Sequence, residues 1–128
     1  MNERRKYKRV RKYFAVNIVA AYFGSQQVRF DTDPAAPKFC DESGFDYSID
    51  GIRIICSKPL PVNCATEMNL LLVNGDGLHK VQARGIVKWF KGVESKYGKY
   101  YVGGLQLSDI SKADRQILEG LWKKHTQE

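Results

Sequence analysis

The sequence predicts a small antiparallel β-barrel of about six strands followed by a C-terminal α-helix, an architecture dominated by β structure. Three observations support this fold class. Short segments with an apolar residue at every second position recur along most of the chain, as expected of half-buried strands. Gly, Pro, Asn and Asp separate these segments at the short intervals that are typical of small barrels. Only residues 111–124 have the spacing of an amphipathic helix.

The length of 128 residues predicts a single domain over 1–128, with a basic arm over 1–12, a barrel over 13–108 and a helix over 111–124. The net charge of +7 is unevenly distributed, because the first 13 residues contain seven Lys or Arg against one acid, which gives +6 there and leaves +1 for the remainder. Such an arm is either a solvated tail or a site for an anionic partner, and a phosphorylated small molecule, a nucleic acid and an anionic membrane all satisfy that description.

The first strands lie on either side of an irregular stretch. The first strand has its apolar face at Phe14, Val16, Ile18, Ala20 and Tyr22. Residues 24–45 contain Gly, Ser and two prolines, which predicts a hairpin or an excursion with a short strand tip over 28–30. The next strand, over 49–56, ends before the prolines at 59 and 61, since proline cannot donate to a strand ladder.

Three further strands complete the predicted barrel. Residues 67–73 form a strand that ends in a tight hairpin turn at Asn74-Gly75-Asp76-Gly77. A strand over 80–90 follows, a loop covers 91–99, and the last strand runs over 100–107, where Gly103-Gly104 indicates a bend or a bulge. One face of the predicted strand over 80–90 consists of Val81, Ala83, Gly85, Val87 and Trp89.

The helix predicted over Ser111–Lys124 begins with a capping signal. Ser111 and Asp114 have the spacing of a capping box. The apolar stripe consists of Ile117, Leu118, Leu121 and Trp122. We expect this stripe to cover an opening or an edge of the barrel and so protect it from pairing with another chain.

Two short motifs contain residues suited to binding a guanine nucleotide. Arg5 and Arg9 form an Arg-x-x-x-Arg pair that Arg4 directly precedes, and a guanidinium can bind phosphate oxygens or the N7 and O6 acceptors of guanine in a forked geometry. Asp46, Ser48 and Gly51 form an Asp-x-Ser-x-x-Gly motif, in which a carboxylate can accept from the N–H donors of guanine.

Each motif alone is weak, because the first is common in basic tails and the second in turns that enter a strand. Together, and in this order, they make the chain resemble the PilZ domain family, the bacterial receptor module for cyclic di-GMP. The resemblance covers about residues 3–124 and rests on Glu3-Arg4-Arg5-Lys6-Tyr7-Lys8-Arg9-Val10 and Asp46-Tyr47-Ser48-Ile49-Asp50-Gly51-Ile52. Weaker support comes from Ala83–Trp89, Tyr101–Leu107 and the closing helix.

The resemblance implies a role for each motif residue. Arg5 and Arg9 would hold guanine edges and phosphates, and Arg4 would favour a stacked pair of ligands over a single one. Asp46 would accept from a guanine, Ser48 would bind phosphate or guanine, and Gly51 would let the backbone pass close to the ligand. Trp89 is a further candidate for ligand contact, although core packing on the inward face of its strand is the preferred interpretation.

The resemblance also implies a function and a partner. Cyclic di-GMP would order the N-terminal arm against the barrel and so change the surface that is presented to a partner protein, whose identity the sequence does not reveal. The alternatives are a ligand-free PilZ-like module that binds protein through its barrel edge, and a small barrel that binds single-stranded nucleic acid through the arm and aromatic faces. The preferred interpretation involves no nucleic acid.

The sequence favours a binding protein over an enzyme. It has no Ser/His/Asp set, no persuasive carboxylate pair and no P-loop, and we expect neither a metal nor a cofactor other than the nucleotide ligand. The three cysteines and two histidines lack zinc-ligand spacing. The odd cysteine number and the absence of a signal peptide predict a cytoplasmic protein, and the apolar runs are too short for a membrane span.

Overall fold

In the part of the chain that the structure describes, six antiparallel strands close into a ring, against which one helix packs. The structure is a computed structural model that describes residues 8–27, 40–57, 59–74 and 77–127. The strands are β1 (Phe14–Phe23), the two-residue β2 (Gln26–Gln27), β3 (Cys40–Tyr47), β4 (Gly51–Cys56), β5 (Ala65–Asn74), β6 (Gly77–Ser95) and β7 (Gly98–Ile110), and the helix is α1 (Lys112–Thr126). The order around the ring is β1-β3-β4-β7-β6-β5, and pairing of β5 with β1 closes it, whereas β2 pairs, among the described residues, only with the end of β1. The predicted barrel with a C-terminal helix is therefore confirmed.

The interior of the ring is filled by the alternating apolar residues of the strands. The buried side chains at its centre include Val16, Ile18, Ile52, Ile54, Met68, Leu70, Leu72, Val81 and Val87. These are the inward faces that the period-two patterns predicted, because successive strand residues point to opposite sides of the sheet. Burial of each such side chain contributes about 1.5–3 kcal/mol to folding.

Irregular pairing ends two of these alternating patterns early. The β1–β5 register shifts between Ile18 and Ala20, and Tyr22 at the end of β1 is 38% exposed rather than inward. The β6–β7 register shifts between Val87 and Trp89, and Trp89 is 37% exposed. The preferred interpretation of Trp89 as a core residue was therefore wrong, since one extra residue in a strand reverses the faces of those that follow.

Two segments that were predicted as irregular form strands. Residues 40–45 belong to β3, which pairs with β1 on one side and β4 on the other. Within β3, the Phe14 ring packs so closely against Gly44 that a Cβ there would overlap it. The predicted loop over 91–99 is instead the end of a long β6–β7 hairpin, which pairs down to Ser95 and Gly98. Gly98 has φ +123°, a conformation that favours glycine at the turn.

The remaining predictions agree with the structure in outline. Asn74 pairs with Gly77, so the β5–β6 connection is as short as predicted, although residues 75–76 lie outside the described residues, as does the predicted strand tip over 28–30. Helix α1 starts one residue after the predicted position and has Ser111 as its N-cap, whose Oγ accepts from Asp114 N at 3.1 Å. No helix in the described part of the chain combines the length and apolar character needed to cross a membrane.

Candidate functional site

The end of the basic arm is attached to the end of β3. Val10 N donates to Tyr47 O at 2.7 Å, and Tyr47 N donates to Val10 O at 3.0 Å, which is an antiparallel bridge. Val10 and Tyr47 are both buried in the core. This bridge continues the β1–β3 pairing beyond the start of β1 and brings the first motif next to the second.

Asp46 lies at the centre of this region, between two arginines. Its side chain is fully buried, and Arg9 Nη1 donates to its Oδ1 at 3.2 Å. Arg53, the cross-strand partner of Asp46 on β4, donates to Oδ2 from Nε at 2.5 Å and also forms an ion pair through Nη2. Both carboxylate oxygens are therefore engaged, Oδ1 by Arg9 and Oδ2 by two nitrogens of Arg53, and these charge-assisted contacts restrict the Arg53 guanidinium.

The two guanidinium groups remain partly open to solvent. The side chains of Arg9 and Arg53 are 25% and 30% exposed. Arg9 Nε is buried and has no hydrogen-bond partner within the described part of the chain, so this group retains an unused donor. The Arg53 guanidinium also lies over the Phe45 ring at 5.3 Å, which is a cation–π contact that limits its movement.

Ser48 and Gly51 form the turn between β3 and β4. Ser48 Oγ donates to Asp50 Oδ1 at 2.6 Å, and Ser48 N donates to Gly51 O at 2.8 Å. Ser48 is almost fully buried, and its turn is stabilised from within. A Cβ at Gly51 would lie 3.2 Å from Leu105 O, so glycine at this position permits close approach to the backbone of β7.

The last turns of helix α1 contact the arm and the second motif. Trp122 Nε1 donates to Lys8 O at 2.7 Å, so the helix holds the backbone of the arm one residue before Arg9. The Tyr47 hydroxyl and His125 Nδ1 are hydrogen-bonded at 2.5 Å, with their rings edge to face. The C-terminal helix therefore supports the site in addition to covering the core.

A row of residues across four strands extends the site to Trp89. Asp46 on β3 pairs with Arg53 on β4, Arg53 with Gly104 on β7, and Gly104 with Trp89 on β6. Residues directly opposite in antiparallel strands point to the same face. The Trp89 indole lies so closely over Gly104 that a Cβ there would overlap it. This outer face thus presents arginine and an exposed indole two strand spacings apart, or about 10 Å.

The structure brings most of the predicted site residues together. Arg9, Asp46, Ser48 and Gly51 lie in one region, whereas Arg4 and Arg5 lie outside the described residues. Sequence reasoning missed the role of Arg53. The alternating pattern of its strand placed this residue on the outer face, but nothing in the pattern identified Asp46 as its partner. Sequence reasoning also missed the polar contacts of Tyr47, Trp122 and His125. No group of three or more potential metal ligands occurs within the described ranges.

Comparisons with known proteins support the fold through structure alone. A scan of protein-family models and a search of curated proteins give no match. The inhibitor of motility MotI/DgrA of Bacillus subtilis superimposes with a TM-score of 0.70 at 14% identity, over 98% of this chain and 52% of that one. The MrkH–c-di-GMP complex of K. pneumonia gives 0.69 at 14% identity, over 99% and 54%.

The PilZ domain with c-di-GMP of YcgR from Escherichia coli gives a TM-score of 0.60 at 13% identity, over 98% of this chain and 93% of that one. The chain has a PilZ-like fold. It spans about half the length of MotI/DgrA and MrkH, so its PilZ-like barrel corresponds in extent to the isolated YcgR domain. On this barrel, Arg9 and the row from Asp46 to Trp89 combine guanidinium groups with an aromatic face, which are the groups that bind phosphates and stack on bases.

Proposed function

We propose that this protein is a receptor for cyclic di-GMP and not an enzyme, and that it binds the nucleotide on the outer face that runs from Arg9 to Trp89. The observation that carries the proposal is the convergence of the two motifs, in which Arg9 and Asp46 are in direct contact beside the Val10–Tyr47 bridge. The two residues lie 37 positions apart in the sequence, and the bridge that continues the β1–β3 pairing places their charged side chains in contact.

The arginines supply charge and geometry for this ligand. Cyclic di-GMP has two phosphate charges and two guanine bases, and a guanidinium suits both phosphate oxygens and the O6/N7 edge of guanine. The Arg9 and Arg53 side chains are both partly exposed, and Arg53 is held in place by Asp46 and Phe45. We therefore add Arg53 to the residues that the resemblance implies.

Asp46 has a more specific role in this proposal than the resemblance implied. Its oxygens are engaged by Arg9 and Arg53 and its side chain is fully buried, so it orients both guanidinium groups in this arrangement. Acceptance from a guanine by Asp46 requires one arginine to turn from the carboxylate toward the ligand. Whether Arg9 or Arg53 turns away, the other arginine and the guanine keep the buried Asp46 carboxylate paired. An unpaired carboxylate at this buried position would be costly.

The other predicted residues complete the proposed site. Ser48 lies beside Asp46, and its Oγ can accept or donate if Asp50 releases it. The Trp89 indole offers a face for base stacking, which is worth about 1–3 kcal/mol per base. Arg4 and Arg5 supply further contacts in this proposal, and Arg4 favours binding of two stacked ligands.

The proposed switch concerns the residues that precede Lys8. Lys8 and Val10 are already bonded to Trp122 and Tyr47, so their backbone needs no ligand for attachment. Fixing a further backbone residue costs about 1–2 kcal/mol, which contacts from Arg4 and Arg5 to the nucleotide must offset. The ordered arm then presents a changed surface to a partner protein in the cytoplasm.

Calorimetric titration of the whole chain with cyclic di-GMP, cyclic di-AMP and GMP tests the proposal. We expect binding of cyclic di-GMP with discrimination against both other nucleotides, because base edges are read. Arg9→Ala should weaken binding by about 1.5–3 kcal/mol, the value of a charge-assisted contact. Arg84→Ala is the matched control, because Arg84 pairs with Glu67 in an exposed contact on β5 and β6. Unchanged affinity in Arg9→Ala, or equal losses in both variants, would refute the proposed site.

A second candidate function is a ligand-free module that binds protein. The observation in its favour is that both carboxylate oxygens of Asp46 are already paired with arginines of the protein, as in a purely structural tether of the arm. This alternative predicts no heat of binding with any cyclic dinucleotide. A nucleic-acid-binding barrel predicts instead an affinity for oligonucleotides that falls steeply with salt and shows little preference for guanine dinucleotide.

A further inference from the structure

The β6–β7 hairpin projects beyond the ring as a two-stranded ribbon, which we define as residues 88–101. Strand β6 pairs with β5 only as far as Ile86, and β7 pairs with β4 only from Tyr101. Pairing between β6 and β7 continues to Ser95 and Gly98. Among the described residues, no strand pairs with the outer edge of β6 beyond Val87 or with that of β7 before Tyr101. Both edges therefore present backbone donors and acceptors.

The ribbon concentrates positive charge. It has four lysines, at 88, 91, 96 and 99, against Glu94, which gives +3 within 14 residues. Since the chain is +7 and residues 1–13 account for +6, everything outside the arm and the ribbon sums to −2. All four lysines are exposed. The ribbon is thus a second basic surface, distinct from the arm, and it indicates an anionic partner.

Aromatic side chains lie among these lysines. Tyr97 at the tip is 88% exposed, and Lys96 Nζ lies 5.0 Å from the centre of its ring. Lys99 Nζ lies 5.5 Å from the centre of the Tyr101 ring. Tyrosine is enriched in protein interfaces, where it gives a large contact area at low entropic cost. A lysine ammonium group contacts one face of each of these rings and would compete there with a stacking nucleic-acid base.

We propose that the β6–β7 ribbon is a docking surface for an acidic protein segment in an extended conformation, which adds to an open strand edge. Charge complementarity selects the acidic partner, since the ribbon has four lysines and no arginine to fork onto phosphates. The open edges select a peptide over a nucleic acid, because only a peptide has backbone groups with the spacing of a strand. This proposal does not depend on nucleotide binding.

Fluorescence anisotropy with a labelled ten-residue peptide of alternating Glu and Thr, at about 50 mM salt, tests the docking surface. We expect saturable binding to the intact protein. The double variant Lys91→Glu/Lys99→Glu should weaken it at least tenfold. The control, Lys80→Glu/Lys112→Glu, reverses two exposed charges outside the ribbon and should change the affinity less than threefold.

Two further probes separate the possible partners. A peptide of five Glu and five Pro, with prolines at adjacent positions, has the same charge but lacks N–H donors on both of its edges, so we expect it to bind at least fivefold more weakly. A twelve-residue oligothymidylate should bind more weakly than the Glu–Thr peptide. Absence of peptide binding, equal losses in the ribbon and control variants, equal binding of the proline peptide or tighter binding of the oligonucleotide would each overturn the proposal. Circular dichroism of every variant verifies that it is folded.

Discussion

Replacement of Asp46 by asparagine removes the charge that holds Arg9 and Arg53 together, so Asp46→Asn should destabilise the free protein. The carboxylate accepts one hydrogen bond from Arg9 and binds Arg53 through Nε and Nη2. The amide that replaces it keeps one acceptor and turns a donor toward one of the arginines. At least one charge-assisted contact is therefore lost and a donor is left facing a cation.

The magnitude follows from the burial of the three groups. Loss of a charge-assisted hydrogen bond costs about 1.5–3 kcal/mol, and breaking a fully buried ion pair costs about 3–5 kcal/mol. The arginine side chains are 25% and 30% exposed and can recover part of their hydration, which lowers the cost. We therefore expect a loss of about 2–4 kcal/mol in the free energy of unfolding, a substantial fraction of the ~5–15 kcal/mol that is typical of a domain.

Urea denaturation monitored by circular dichroism measures this change. With a slope of about 2 kcal/mol per M, the midpoint should fall by about 1–2 M in Asp46→Asn. The matched control is Glu67→Gln, which removes the carboxylate of an ion pair whose Arg84 and Glu67 side chains are 61% and 40% exposed. That control should lose no more than about 1 kcal/mol. Equal midpoints in the two variants would refute the assignment of Asp46 as the centre of the cluster.

Two other changes test the packing of the barrel. Gly104→Ala introduces a Cβ that overlaps the Trp89 indole, so it should lower the free energy of unfolding by about 1–3 kcal/mol and alter the near-ultraviolet circular dichroism. The control Gly120→Ala, in open space on α1, should raise the free energy of unfolding by about 1 kcal/mol. Equal effects of the two substitutions would contradict this packing. Burial raises the pKa of the Cys64 thiol, so iodoacetamide near pH 8 should modify it at least tenfold more slowly in native than in urea-unfolded protein, as read by mass spectrometry. Equal rates of modification would contradict this assignment. Since the folded protein holds the thiol proton more tightly, the contribution of the thiol to stability is complete below the pKa of the unfolded state and is lost as the pH rises through the pKa of the folded state.

The sequence was sufficient for the fold because its strands obey a simple rule. Each inward face that was correctly predicted, such as Ile52 and Ile54 on β4 or Met68 and Leu70 on β5, alternates without interruption against neighbours that are only partly buried. The helix could likewise be predicted from its N-cap residue, Ser111, and from its apolar stripe. Where hydrophobic burial alone decides the structure, the period of the apolar residues is enough to predict the element.

The errors arise where pairing between strands overrides local preference. Residues 40–45 have no period-two pattern, and they form a strand because β1 and β4 flank them on both sides. The 91–99 stretch, rich in Gly and Lys, forms a ribbon because each of its halves pairs with the other. Trp89 was assigned to the wrong face because a register shift cannot be read from the spacing of side chains.

The candidate site was predictable only in part, for the same reason. Arg9, Asp46, Ser48 and Gly51 could be selected by their chemistry and spacing. Arg53 could not, since its pairing with Asp46 depends on the strand register between β3 and β4, and β3 itself was not foreseen. The contacts from Trp122 and His125 join parts of the chain that are remote in sequence, and no local pattern signals them.

The hydrogen bond from Trp122 to the Lys8 carbonyl joins groups 114 residues apart, and this separation has a consequence for how the domain assembles. Closing so long a loop is entropically unfavourable until the intervening strands have already paired. The arm should therefore reach its final position late in folding, after the ring is complete. A nascent chain, or a fragment that lacks the last helical turns, would have both motifs in its sequence and lack the Trp122 and His125 contacts that support them.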